Sequence, residues 1–253
     1  MREALAIAGV TVREVLRRRL QVNLLFFGAA LVVASHLVGT LTLGYRYRVL
    51  ADLGLTSMQL IGLLVAVFVG SSLVAGDMER RVLQPVLAKP VPRAGYVLGR
   101  YLGLAVVLVL NLAVMAVLLG VVLALDAGGL GPLGLPYLGA VGLLAVQFLV
   151  VGAVAVLFSS ISSATLAAVF SMAVAIAGQM TGEIRALWKG GATWVPKLIW
   201  YVVPNLSALN ANEPLVYGQP PPAQAWTAAA YGLCYAAAAL ALAVLAFERR
   251  DLR

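Results

Sequence analysis

Apolar residues run in six long blocks along this chain, and charge is dense in only one internal segment, Gly76–Arg100. The blocks are Val22–Leu43, Leu53–Ala75, Tyr96–Leu125, Tyr137–Phe158, Ala164–Thr181 and Trp226–Phe247. None alternates apolar and polar positions as a half-buried strand would, and each approaches or exceeds the about 20 residues a helix needs to cross a hydrocarbon layer of about 30 Å. The pattern predicts an all-α, polytopic membrane protein with six transmembrane helices in a single domain over residues 1–253. Ahead of the first block, Leu5, Ala8, Val12, Val15 or Leu16, and Leu20 recur at helical spacing, while Arg2, Glu3, Arg13, Glu14, Arg17 and Arg18 take the other side. Residues 1–20 therefore read as an amphipathic helix lying in the membrane interface. A signal peptide is the competing reading, with Val32 and Ala34 as a small-residue cleavage site; the leader is too long for it, and the apolar run continues past Ala34.

Between the blocks, Gly128, Gly129, Gly131 and Pro132 mark one joint and Pro220, Pro221 and Pro222 another. Two connections are unusual. Gly76–Arg100 is dense in charge, with Asp77, Glu79, Arg80, Arg81, Lys89, Arg93 and Arg100. An ion at a bilayer centre costs on the order of 3 kcal/mol even on mild scales, so these residues are expected in water at a membrane surface. A short helix from about Met78 to Leu87 would present Met78, Val82 and Pro85 or Val86 on one side. The run Lys89-Pro90-Val91-Pro92-Arg93 would follow as a stiff extended turn, making 76–95 a rigid protrusion. The second connection, 182–225, holds Trp188, Trp194 and Trp200 and ends at Trp226, which places all four tryptophans at one face as an aromatic belt. Thr193–Val203 is too short to cross and reads as half-inserted or interfacial.

Composition agrees with the pattern. The chain is 62% hydrophobic and 11% charged, with a mean hydropathy of +0.99, against about 25% charged residues in soluble domains. Six spans and their connections leave no room for a separate soluble catalytic domain. The net charge of +8 does not mark a nucleic-acid binder, since it lies in short loops and not on a basic face of a folded module. It follows the positive-inside rule: thirteen of the 18 Lys and Arg residues fall on the side holding both termini and the 76–95 loop, which makes that side cytoplasmic. The expected location is the cytoplasmic membrane of a prokaryote, with lipid as a partner. Cys234, the only cysteine, excludes an intramolecular disulfide and is expected as a small core residue.

Three sequence features together resemble the permease subunits of type-2 ATP-binding-cassette exporters. Glu79-Arg80-Arg81 with Leu83, then Lys89-Pro90-Val91-Pro92-Arg93, then Tyr96-Val97-Leu98-Gly99-Arg100 is similar to the family's loop between spans two and three. It departs from that loop in having Arg81-Val82 for Gly-Thr, Pro92 for Ser and Arg100 for Lys. Val203-Pro204-Asn205-Leu206 with Leu209-Asn210 resembles the Pro-Asn segment of one branch, which includes the nitrous-oxide reductase maturation permease. Phe247-Glu248-Arg249-Arg250-Asp251-Leu252 resembles the common C-terminal ending. The resemblance implies an export subunit that pairs with a second permease copy and with ATPase subunits. ATP and Mg would be handled by those subunits, and this chain itself would hold no cofactor and no metal. No G-x-x-x-x-G-K-[ST] occurs in the sequence, which agrees. The residues the resemblance assigns to ATPase coupling are Arg13, Arg17 and Arg18 on the first helix and Asp77, Glu79, Arg80, Arg81, Pro90 and Arg93 on the loop.

Along the fifth block and just past its end Ala164, Ala168, Ser171, Ala175, Gly178 and Gly182 form a stripe of small residues that lets backbones approach closely. The contact is either within the chain or between protomers; the resemblance, in which spans one and five meet across a dimer, favours the second. Gly99 and Gly103 read as local packing. His36, the only histidine, is a structural or pathway residue before it is a catalytic one. Asn111, Gln147 and Gln179 either line a path or bond between helices. A serine nucleophile lacks a base near Ser159, Ser160, Ser162 and Ser163, which read as a polar turn. No aspartyl pair is expected, because Asp77 and Asp126 fall at opposite faces. The competing readings are a stand-alone transporter or channel, which calls for ion-pairing residues within the spans, and a lipid-modifying enzyme, which calls for clustered His, Asp or Glu.

Overall fold

The computed structural model describes residues 2–17, 19–40, 46–79, 92–127, 129, 134–181, 202–210 and 225–249. Among these, every apolar block lies on a helix. The amphipathic segment is α1, Arg2–Leu16. The blocks become α2, Arg19–Thr40; α3, Arg46–Glu79; α4, Arg93–Ala127; α5, Leu135–Ile161; α6, Ala164–Gln179; and α7, Ala225–Glu248. A 3₁₀ turn at Ser207–Leu209 precedes α7.

By length and composition α3, α4, α5 and α7 can each cross a membrane. At 1.5 Å per residue α6 extends about 24 Å, short of a hydrocarbon layer of about 30 Å, and the apolar stretch Leu25–Ala34 of α2 is shorter still.

Helix α3 is the centre of the bundle, packed by α2, α4, α5 and α6, while α7 leans on α5 and α1 on α4. A helix apolar on all sides suits this position. Leu50, Leu55, Met58, Ile61 and Leu73 of α3 are fully buried. Close approach depends on glycine at Gly62, where an added Cβ would fall 1.9 Å from the Phe148 ring of α5. The outward faces carry Phe26, Phe27, Val117 and Leu125, the side chains a bilayer would cover.

Two expectations are corrected here. Cys234 is exposed on α7 and is not a core residue, because α7 buries only the stripe Gly232, Ala236, Ala239, Leu240, Ala243 and Phe247. Asp77 and Arg100 are buried, not solvated. The helices α3 and α4 run past their apolar blocks, and α1 closes over the junction, so the two ions meet each other in place of water.

At the other end of the bundle Arg46 of α3 pairs with Asp126 of α4, Nε to Oδ1 at 2.5 Å. Asp77 and Asp126 thus do lie at opposite ends.

Candidate functional site

The charged residues at the Asp77 end are held by helix ends. The α4 segment Tyr96-Val97-Leu98-Gly99-Arg100 turns Tyr96 and Arg100, one helical turn apart, to the same side. Both reach Asp77 in the last turn of α3: the Tyr96 hydroxyl donates to Asp77 Oδ2 and Arg100 Nη2 pairs with the same oxygen. Arg100 Nη1 donates to Glu14 Oε2 of α1 at 2.6 Å and lies 3.3 Å from Thr11 Oγ1. Its Nε points to the Tyr96 hydroxyl at 3.4 Å. One guanidinium therefore joins three helices. With two carboxylates around it, every charge in this dry position has an opposite partner, the condition under which buried ions are tolerated.

Glycine makes room for α1 in this arrangement. A Cβ at Gly99 would meet the Ala4 carbonyl oxygen at 2.8 Å and Ile7 at 2.9 Å; at Gly103 it would meet Thr11 at 2.5 Å and the Ala8 carbonyl oxygen at 2.9 Å. The pair is thus the seat of α1. Its buried face is Ala8, Thr11 and Val15, whereas Arg13 and Arg17 stay exposed.

Two other ions expected in the loop also brace helix ends. The carboxylate of Glu79 accepts the Ala164 N–H at 3.1 Å, the start of α6, where an anion is favoured by the helix dipole. Arg93 donates to the Glu248 and Phe247 carbonyls at 3.0 and 3.4 Å, the end of α7, where a cation is favoured. Tyr96 and Phe247 stack beside it with ring centres 5.7 Å apart. Arg18, Arg80, Arg81 and Pro90, and the short helix expected to Leu87, lie outside the described residues.

Ser159, read from sequence as part of a polar turn, enters α3. Its hydroxyl donates to the Ser71 carbonyl at 2.7 Å and accepts from the Val74 and Ala75 N–H groups at 3.1 and 2.9 Å. It thus stands between groups of the α3 ladder, one turn before Asp77.

In the small-residue stripe Ser171, Ala175 and Gly178 are buried within the chain, and Ala164 and Ala168 are half-buried; Gly182 lies outside the described residues. At Gly178 the Pro-Asn segment docks: Leu206 N–H donates to the Gly178 carbonyl at 3.1 Å, and a Cβ there would fall 2.8 Å from Leu206. Asn205 Oδ1 gathers the hydroxyls of Thr181 and Ser207, each at 2.8 Å, and the Ala208 N–H at 3.1 Å. This segment closes the end of the short α6. The rest of 182–225, including Trp188, Trp194 and Trp200, lies outside the described residues.

The interior amides differ. Asn111 and Gln147 are buried, and among the described residues neither side-chain oxygen nor nitrogen of either finds a hydrogen-bond partner, nor does the Gln179 nitrogen. Asn111 faces a narrow cavity between α2, α3, α4 and α5, lined by Leu25, Ile61, Gly62, Val65, Leu108, Leu112, Met115 and Phe148. The backbone of His36 lies in α2, and its side chain is outside the described set. Among the described residues no three His, Cys, Asp or Glu side chains converge on a point that could hold a metal.

An apolar helical bundle with several helices able to cross a bilayer and its ions gathered at helix ends defines a multi-pass membrane protein. The family model described as "ABC-2 family transporter protein" matches residues 9–252. That is nearly the whole chain, and the chain belongs to this family, as a membrane permease subunit of an ABC transporter. A search of curated proteins finds no match.

The cluster itself does not assemble from sequence: Tyr96 and Arg100 stand in the motif, but Asp77 precedes it and Thr11 and Glu14 lie on α1. Arg100 as the lone ion inside an apolar block, with Gly99 and Gly103 beside it, was the available signal.

Proposed function

We propose that this chain couples ATP hydrolysis on separate ATPase subunits to export of a substrate across the cytoplasmic membrane of a prokaryote, acting with a second permease copy. In this reading all six apolar blocks cross the membrane, the short α6 with the Pro-Asn segment docked at its end, and both termini and the Asp77 end are cytoplasmic. The loop after α3, with Arg80, Arg81 and Pro90, and the exposed Arg13 and Arg17 of α1 take the push of the ATPases. The observation that carries the reading is the Arg100 cluster. It ties both expected docking elements, α1 and the helix ends bounding the loop, into one unit at a single end of the bundle. Two copies would meet through α2 and α6. ATP and Mg stay on the ATPases, since the sequence has no P-loop of its own.

The test is charge reversal at Glu79 with a neutral control. Glu79→Arg places a cation at the start of α6 and at the docking surface, while Glu79→Gln keeps an acceptor for the Ala164 N–H. Glu79→Arg is expected to insert normally and to lose ATPase co-purification or transport, with Glu79→Gln closer to the parent. Normal ATPase association and transport in Glu79→Arg would sink the proposal.

A further inference from the structure

We propose that Arg100 is a positioning residue, a latch that fixes α1 to the ends of α3 and α4 so that α1 and the loop after α3 receive force as one body. The inference deepens the permease reading and rests on it for its consequence, but not for its geometry. A helix lying free in the interface would need only an apolar face and a charged one. Here α1 places Thr11 and Glu14, its inward polar residues, on the guanidinium of Arg100. The backbone carbonyls of Ala4 and Ala8 lie where side chains of Gly99 and Gly103 would stand. The glycines let α1 approach and slide along α4; they carry no polar group that fixes where it stops. Arg100 supplies that stop, because its Nη1 and Nη2 point to Glu14 and to Asp77, on two different helices. A planar guanidinium with donors in fixed directions does this, and the single ammonium of lysine does it less well.

The latch leaves Arg13 and Arg17 outward on α1, and their position relative to the facing ends of α3 and α4 is then set by Arg100. Release of the latch would keep α1 membrane-bound through its apolar residues and let its outward arginines wander from the register a docked ATPase needs. Arg100, Glu14 and Asp77 touch no ATPase in this proposal; they act through α1 and the loop.

The experiment uses the full chain in lipid nanodiscs, on a Cys234→Ser background. Spin labels sit at Gly9→Cys, around which the structure leaves open space, and at Leu102→Cys on the exposed side of α4. The parent is expected to give one narrow inter-label distance. Arg100→Met should broaden it, Arg100→Lys should recover it in part, and Glu14→Gln, at a half-exposed site that leaves the Asp77 pair intact, should broaden it should Arg100→Met fail to fold. An unchanged narrow distance in the variants that fold overturns the latch. In parallel, recovery of the ATPase with the permease should fall about tenfold in the unlatched variant, within the usual range of coupling between sites. A released α1 with full ATPase recovery overturns the positioning role. Failure of the parent itself to retain any ATPase counts against the permease reading alone, because the label distances still decide whether the latch exists.

Discussion

Helix α4 carries a buried ion and a buried amide, and they have opposite surroundings. Arg100 is bonded on every side, to Asp77, Glu14, Tyr96 and Thr11. Asn111, about 16 Å further along the same helix at 1.5 Å per residue, has no hydrogen bond to either side-chain atom. An unpaired buried charge costs more than an unpaired amide, so the ion is the group whose pairing the fold must secure first. That pairing ties α1, α3 and α4 together at the charged end, and the middle is left with hydrogen-bonding capacity that nothing within the described chain takes up. In the role proposed above, the first would transmit a push and the second is what a passing polar group or a water would meet.

The sharpest way to break the contrast is to unpair the cluster. Asp77→Leu removes the carboxylate shared by Tyr96 and Arg100 and leaves a buried guanidinium with Glu14 as its remaining carboxylate. Breaking a buried pair from one side costs about 3–5 kcal/mol, so the detergent-solubilised protein should unfold at a clearly lower temperature. A loss under about 1 kcal/mol would mean that water already reaches the cluster and that the contrast with Asn111 is false.

Gly103→Val attacks the same end without touching charge. The new side chain would press on Thr11 and on the Ala8 carbonyl, and because a backbone carbonyl cannot swing aside as a side chain can, α1 must shift. Overpacking of this kind costs about 1–3 kcal/mol, and protease access to α1 should rise together with the loss of stability. Ser159→Ala tests the neighbouring brace. It removes an acceptor from the Val74 and Ala75 N–H groups and a donor from the Ser71 carbonyl, for an expected loss of about 1–2 kcal/mol. A smaller change would show that the α3 ladder closes on itself once the hydroxyl is gone.

The positions of the helices were legible because a block of about 20 apolar residues has few other uses. Their ends are less so, for a physical reason: the charge of Asp77 reads as the point where the second block must stop, yet Asp77 meets Arg100 in place of water and α3 runs on to Glu79. The seat of α1 was half visible. Gly99 and Gly103 were read as local packing, but nothing in the spacing says which helix fills a glycine groove. The same limit applies to the stripe of Ser171, Ala175 and Gly178, whose small side chains fit a partner protomer and fit equally the intramolecular contacts they make. The resemblance assigns Glu79 and Arg93 to docking, and the structure gives them the ends of α6 and α7 to cap, a role set by tertiary approach and not by sequence distance.

The smallest expected effect is also the one that most sharpens the comparison. Asn111→Leu replaces the unpaired amide with an apolar side chain of similar size in a cavity already lined by Leu25, Leu108, Leu112, Met115 and Phe148. Removing a buried group that makes no hydrogen bond is close to neutral or favourable, so thermal stability should stay within about 1 kcal/mol of the parent or rise. Transport by the assembled complex should nonetheless fall if the amide meets a polar group in transit. A loss of stability beyond about 1 kcal/mol would show that the amide is satisfied in the folded protein and would make it a structural group like Arg100. Stability and transport both unchanged would remove Asn111 from the pathway and leave Gln147, equally unpartnered on α5, as the interior residue to which the same substitution should be applied.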